Sequence, residues 1–148
     1  MKNGLYINNI NLIDLKNHFE LLSKDFINQI SKRVDLNKYL EKIYNNAKSY
    51  EYWENDILIG LAAVYENRGI EHPAYLTNIS IIENQCGRGM ASKLLDFVIV
   101  NLKKNGFKQF MLEVQKDNNI ALHMYKKRGF VIMSQQQEVA TCLMLLDM

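Results

Sequence analysis

Residues 79–95, ISIIENQCGRGMASKLL, are where residue type and spacing first point to chemistry. A strand-like apolar run ends, a polar turn follows, and Gly87-Arg88-Gly89 opens a long amphipathic helix. The first amides of a helix have no partner within it, and the dipole behind them favours negative charge, so such a turn is a seat for an anionic group. Glycines let the anion approach the backbone, and Arg88 adds a mobile cation. An ordinary strand-to-helix turn that needs glycine only for its shape has the same local pattern. Two phosphate loops are excluded. The Gly-x4-Gly-Lys-Ser/Thr spacing is absent, and a dinucleotide fingerprint needs a third glycine where Ser92 stands.

Other reactive side chains are sparse. His18, His72 and His123 are isolated, with no His-x3-His pair, so no metal site is expected. Cys86, beside Arg88 and a helix N-terminus, is placed for a lowered thiol pKa. A Cys-His hydrolase reading finds no identifiable histidine partner. Glu113 belongs to a strand whose alternation puts Phe110, Leu112 and Val114 on one face and Met111, Glu113 and Gln115 on the other. Tyr125 stands beside Ala121 on a helix stripe, as a packing aromatic would.

An alternation of strands and helices must hold these groups. After a short strand at Leu5–Ile10, Asp14 is expected to cap a helix carrying Leu15, Phe19 and Leu22, with Phe26, Ile27 and Ile30 either continuing it or starting a separate turn. Asp35 caps a second helix whose stripe is Leu36, Tyr39, Leu40, Ile43 and Ala47. Ser49–Glu54 and Ile57–Tyr65 read as two strands about an Asn55-Asp56 turn, and Glu66–His72 as a polar turn before a strand at Ala74–Ile82. The helix that follows the glycine turn carries Met90, Ala91, Leu94, Leu95, Val98, Ile99 and Leu102, and ends at Asn105-Gly106. Phe107–Gln115 is the next strand, Asn118–Arg128 a helix, and Phe130–Met133 with Val139–Leu146 the closing strands. This order implies α/β layering with at least one parallel crossover.

Composition narrows the class. The chain has 148 residues, 48% of them hydrophobic, a length that suits one domain, 1–148. Eighteen basic against sixteen acidic residues leave a net charge of +2 with no concentrated basic stripe, which argues against a nucleic-acid partner. Two cysteines do not make a disulfide framework, and no run is long and apolar enough to span a membrane or serve as a secretory leader. A soluble protein of the reducing cytoplasm is the expectation.

The glycine turn resembles the acetyl-CoA-binding motif of the GCN5-related N-acetyltransferase (GNAT) family, Gln/Arg-x-x-Gly-x-Gly/Ala. Gly89, Met90 and Ala91 match its second half, and Cys86 stands where Gln or Arg is usual. A second stretch, EVQKDNNIALHMYKKRGF, resembles the family's later block through Asn118, Ala121, Tyr125, Gly129 and Phe130. The resemblance covers Ile57 to the C-terminus. It implies a mixed, mostly antiparallel sheet flanked by helices, with a splayed parallel strand pair holding the cofactor.

Residue by residue, the resemblance implies that main-chain groups of Ile79, Ser80 and Ile81 pair with pantetheine. It places the pyrophosphate on the amides of Gly87, Arg88, Gly89, Met90, Ala91 and Ser92, and gives Asn118 a cofactor contact in addition to its expected role as a helix N-cap. Tyr125 matches the general acid. Glu113 matches a base used in the branch acting on ribosomal-protein N-termini, with water relayed from Asn78 or Ser80 as the alternative. The implied activity is acetyl transfer from acetyl-CoA, without a metal, to a primary amine of a small molecule or peptide by direct attack in a ternary complex. A CoA-binding module without catalysis is the other reading, and a homodimer stays open.

Overall fold

The computed structural model describes residues 1–148, and the side chains of all of them except Gln135. Seven strands form one sheet in the order β1-β2-β3-β4-β5-β7-β6: β1 Gly4–Ile7, β2 Lys48–Glu54, β3 Ile57–Tyr65, β4 Ala74–Ile81, β5 Gln109–Gln115, β6 Val131–Gln135 and β7 Thr141–Asp147. Only β4 and β5 run parallel, joined by the crossover helix α4, Met90–Lys104. The other helices are α1 Leu12–Glu20, α2 Lys24–Ser31, α3 Leu36–Asn46 and α5 Asn119–Lys127. The expected mixed, mostly antiparallel sheet flanked by helices is what the chain forms. Among the described residues no helix is long and apolar enough to cross a membrane.

Local chemistry accounts for most boundaries. Asn55 and Asp56 both take positive φ, 51° and 64°, the backbone of a tight hairpin turn between β2 and β3. Asp35 caps α3 through Lys38 N, and Ser23 caps a separate α2 through Phe26 N. Asn118 caps α5 through Ala121 N, and Gly106, at φ 90°, follows the end of α4. One cap differs from expectation. Asn11, not Asp14, is the N-cap of α1, and Asp14 occupies the third helical position, where its carboxylate accepts from Asn11 N in a capping box. The first strand also stops early, at Ile7, because Asn8 turns to φ 55°.

β3, ILIGLAAVY, is buried on both faces from Leu58 to Val64 and divides the core in two. Ala62 and Val64 pack with Leu95, Val98 and Leu102 of α4 and with Leu112 and Tyr125. Leu61 and Ala63 pack with Leu15, Phe19, Leu40 and Ile43 of α1 and α3. The sheet is therefore covered by α4 and α5 on one side and by α1–α3 on the other.

In β4 this alternation is broken once. Val64 pairs with Leu76 but Ala63 with Asn78, so Thr77 is an extra, bulged residue. One inserted residue exchanges the faces of everything after it. Leu76 belongs to the α4/α5 core, whereas Asn78 and Ser80, opposite Ala63 and Leu61, are delivered to the α1–α3 side. Tyr39 of α3 holds the bulge in place, its hydroxyl donating to Thr77 O at 2.7 Å.

Candidate active site

The parallel pair opens almost as soon as it forms. Ala74, Tyr75 and Leu76 pair with Phe110, Met111 and Leu112, and there the β4–β5 ladder ends. Beyond it β4 stays paired only with β3, and β5 only with β7. The last five residues of β4 and the last three of β5 thus face each other across a gap in mid-sheet, with inward main-chain groups that make no ladder. An extended ligand bearing amides can add to such an edge as a strand would. Ile79, Ser80 and Ile81 all lie on it.

Directly after β4 the chain makes a 3-10 turn, Glu83–Gln85, and enters the glycine turn. Gly87 and Gly89 have φ of 84° and 76°, and Gly89 is a left-handed N-cap with no side chain to satisfy the amides of Met90, Ala91 and Ser92. A Cβ at either glycine would meet nothing within 4 Å, so backbone conformation rather than crowding within the chain requires glycine there. The open space and free amides fit an anionic group. Arg88 is exposed and engaged with Glu54 at 3.2 Å and with the Gln85 side chain, so it must swing to reach a ligand. The Cys86 thiol points to the Ile81 and Ile82 carbonyls at 3.6 and 3.5 Å, leaving the Arg88 charge to Glu54.

The two faces of the gap carry different groups. Tyr125 of α5 is 5% exposed, stacks tilted on Phe130 at 5.5 Å and shares a packed cluster with Ile79 and Val114, which flank the gap. Burial pushes its phenol up to about 12, so it stays protonated. Glu113 lies on the opposite face of β5, exposed, with Thr141 Oγ1 donating to it at 3.4 Å. Asn118, at the start of α5, is exposed and spends its Oδ1 on the cap, leaving its amide NH2 free. Arg128 fixes α5 against α4 through Asp96 at 2.7 Å and Ser92 O at 3.5 Å.

His18, isolated along the sequence, is in the fold the deepest polar group beside the gap, 1% exposed. Nδ1 lies 2.8 Å from Leu58 O and Nε2 2.9 Å from Ser80 Oγ, which is 2.8 Å from the Asn78 side chain. Burial holds the imidazole down to about 4, hence neutral. A neutral ring that donates Nδ1–H to the carbonyl accepts the Ser80 hydroxyl at Nε2. The signal was present in sequence. His18 sits three residues after Leu15 and four before Leu22, on the apolar stripe, where a polar side chain needs buried partners.

With this geometry in place, comparison with known proteins is decisive. The acetyltransferase (GNAT) family matches residues 15–130. The chain belongs to this family. It is a GNAT-type N-acetyltransferase. N-alpha-acetyltransferase 30 of Schizosaccharomyces pombe is 28% identical over 119 residues, 78% of this chain and 77% of that one. The ribosomal-protein-S18-alanine N-acetyltransferase of Escherichia coli shares the fold with a TM-score of 0.74 at 17% identity, covering 97% of this chain and 93% of that one. So does an acetyltransferase of Salmonella typhimurium bound to acetyl-CoA, with a TM-score of 0.73 at 16% identity over 98% and 94% of the two chains. Among the described residues no cluster of His, Cys, Asp or Glu could hold a metal ion.

Proposed function

We propose that residues 1–148 act as one N-acetyltransferase domain, transferring acetyl from acetyl-CoA to a primary amine by direct attack in a ternary complex in the cytoplasm. The observation that carries this reading is the gap between β4 and β5, with a protonated phenol on one face and a carboxylate on the other. Acetyl-CoA, when bound, supplies the activated acyl carbon as a thioester. The β4 edge at Ile79–Ile81 offers its main-chain groups to the pantetheine amides. The amides from Gly87 to Ser92, with Arg88 and the free NH2 of Asn118, hold the phosphate end.

Glu113 takes the proton of the amine, so that the nitrogen lone pair can attack the thioester carbonyl as the carbon–sulfur bond breaks. Tyr125 meets the departing sulfur. A phenol near 12 gives an ordinary thiolate, which protonates near 8.5, a hydrogen bond before it gives up the proton. Ser80 is engaged with His18 and Asn78 with Ser80, which leaves Glu113 the freer acceptor. The named relatives support acyl transfer to an α-amine, and a small-molecule or peptide amine suits the open α1–α3 side.

Thiol release measured across a broad amine panel tests the reading, with turnover expected for at least one class. Glu113→Gln should lower kcat by about 10²–10⁴, the usual worth of a positioned base, with CoA affinity unchanged. Intact CoA affinity with no turnover on any amine would overturn catalysis and leave a CoA-binding module.

A further inference from the structure

A cavity of about 540 Å3 opens on the α1–α3 side of the sheet, lined by Lys42, Tyr65, Arg68, Tyr75 and Met111 among others. Its charge is one-sided. Lys42 of α3 and Arg68 of the 66–73 turn border it, and no carboxylate does. Among the described residues neither cation makes an ion pair, and Lys42 Nζ rests 5.3 Å above the Tyr65 ring. The neighbouring carboxylate, Glu66, is already engaged with Tyr50 Oη at 2.8 Å and Lys48 at 3.6 Å. Arg33, in the turn after α2, adds a third positive charge close enough to act on the Tyr39 and Tyr75 hydroxyls. Tyr65 Oη leans toward Thr77 yet is buried without a hydrogen bond of good geometry among the described residues. Unpaired cations and a waiting hydroxyl describe a receptor for an anion.

Glu113 supplies the opposite pole. It lies on the same face of β5 as Met111, two residues further toward the gap, and its charge reaches the Tyr75 phenol. Two strand residues span about 7 Å. Since Met111 borders the cavity, a molecule that places its amine at Glu113 reaches the cavity's edge only with an anion on the order of 7 Å away. The carboxylate of a free α-amino acid, two bonds from the nitrogen, falls short. In a peptide, consecutive Cα atoms are about 3.8 Å apart, and an acidic second side chain covers the remainder.

We propose that the acceptor is a polypeptide N-terminus with Asp or Glu in second position, its amine at Glu113 and its side-chain carboxylate between Lys42 and Arg68. This rests on the acetyl-transfer reading above. The test compares C-terminally amidated tetrapeptides, Ala-Glu-Ala-Ala, Ala-Gln-Ala-Ala and Ala-Ala-Ala-Glu, in two assays. Thiol release should give the first a kcat/KM about tenfold above the other two, an advantage that shrinks as salt is raised. The Lys42→Gln/Arg68→Gln double variant should bring that ratio close to one, and Lys42→Glu should reverse it in favour of Ala-Lys-Ala-Ala. Calorimetry on the CoA-loaded protein should show the same ranking without any turnover.

Equal binding and turnover of the Glu and Gln peptides overturns the acceptor assignment and leaves acetyl transfer standing. Selective binding of the Glu peptide without turnover has the reverse meaning: the acceptor assignment holds and catalysis fails. An acidic preference that persists in the double variant also overturns it.

Discussion

The two layers that cover the sheet solve different problems. The α4/α5 side is apolar, built from stripes such as Leu95, Val98 and Leu102, and apart from the Tyr125 phenol what it offers the gap is backbone: the free β4 edge and the amides that open α4. The α1–α3 side mixes its apolar cluster with side-chain chemistry: His18, Ser80, Asn78, Glu113 and a cavity edged with cations. Backbone binding demands a conformation, and conformation leaves regular marks such as glycine and cap residues. Side-chain binding demands only that a few groups converge, and convergence leaves no periodic mark. The layer that would grip the cofactor can thus be read along the chain, whereas the one facing the acceptor must be seen folded.

The largest effect expected on the first layer is at Tyr125. Tyr125→Phe keeps the ring on Phe130 and removes the hydroxyl, so kcat should fall by about 10²–10⁴ while CoA affinity barely moves. If the variant runs at the parent rate with chemistry shown to be rate-limiting, Tyr125 is a packing residue and this layer contributes backbone alone.

His18 probes the second layer. Its folded value, about 4, lies below the ordinary 6.5, so the folded state binds fewer protons than the unfolded one between those limits. The contribution is fully present above pH 6.5 and is lost as pH falls toward 4, worth about 3 kcal/mol across the window. Urea melts from pH 7 down to 4 should show that slope, and His18→Gln should flatten it. An unchanged slope in the variant would place the acid sensitivity elsewhere.

Gly89→Val returns to the backbone. A β-branched residue at φ 76° strains the turn that aims the α4 amides, and CoA affinity should drop by about tenfold or more. Calorimetry on a variant with native circular dichroism decides it, and unchanged affinity removes the phosphate end from this turn. The smallest effect is at Cys86, where Cys86→Ser should hold turnover within about twofold, since its thiol meets only carbonyls. Bound CoA should slow alkylation of Cys86 in the parent. Total loss of turnover with intact affinity would make the thiol a nucleophile instead.

Most of the scaffold was legible. The cap at Asp35, the turn at Asn55-Asp56, the apolar stripe of α4 and the Asn105-Gly106 end each follow from one local rule, and each was found where expected. Asn11 displaced Asp14 because either residue type caps a helix, and which of two neighbours does so depends on where the chain leaves β1. The bulge at Thr77 was hidden for a deeper reason. AYLTNISI alternates acceptably with or without an inserted residue, and only pairing with β3 reveals which residue is extra. His18 meets Leu58 and Ser80 across 40 and 62 positions of sequence separation, beyond the reach of any local pattern.

The gap between β4 and β5 also bears on how the protein is held together when nothing lies in it. A sheet with an unfinished seam has main-chain groups that must be wetted, and its two halves are joined at that seam by three residue pairs alone. Any molecule that adds to the β4 edge completes the seam in the folded state only, so its binding free energy adds to the free energy of unfolding. At a hundred times its dissociation constant that is about 2.7 kcal/mol. Resistance to heat then becomes a property of the chain together with its ligand pool, rising and falling with supply, and depletion of that pool would be felt first as loss of structure where the strands part.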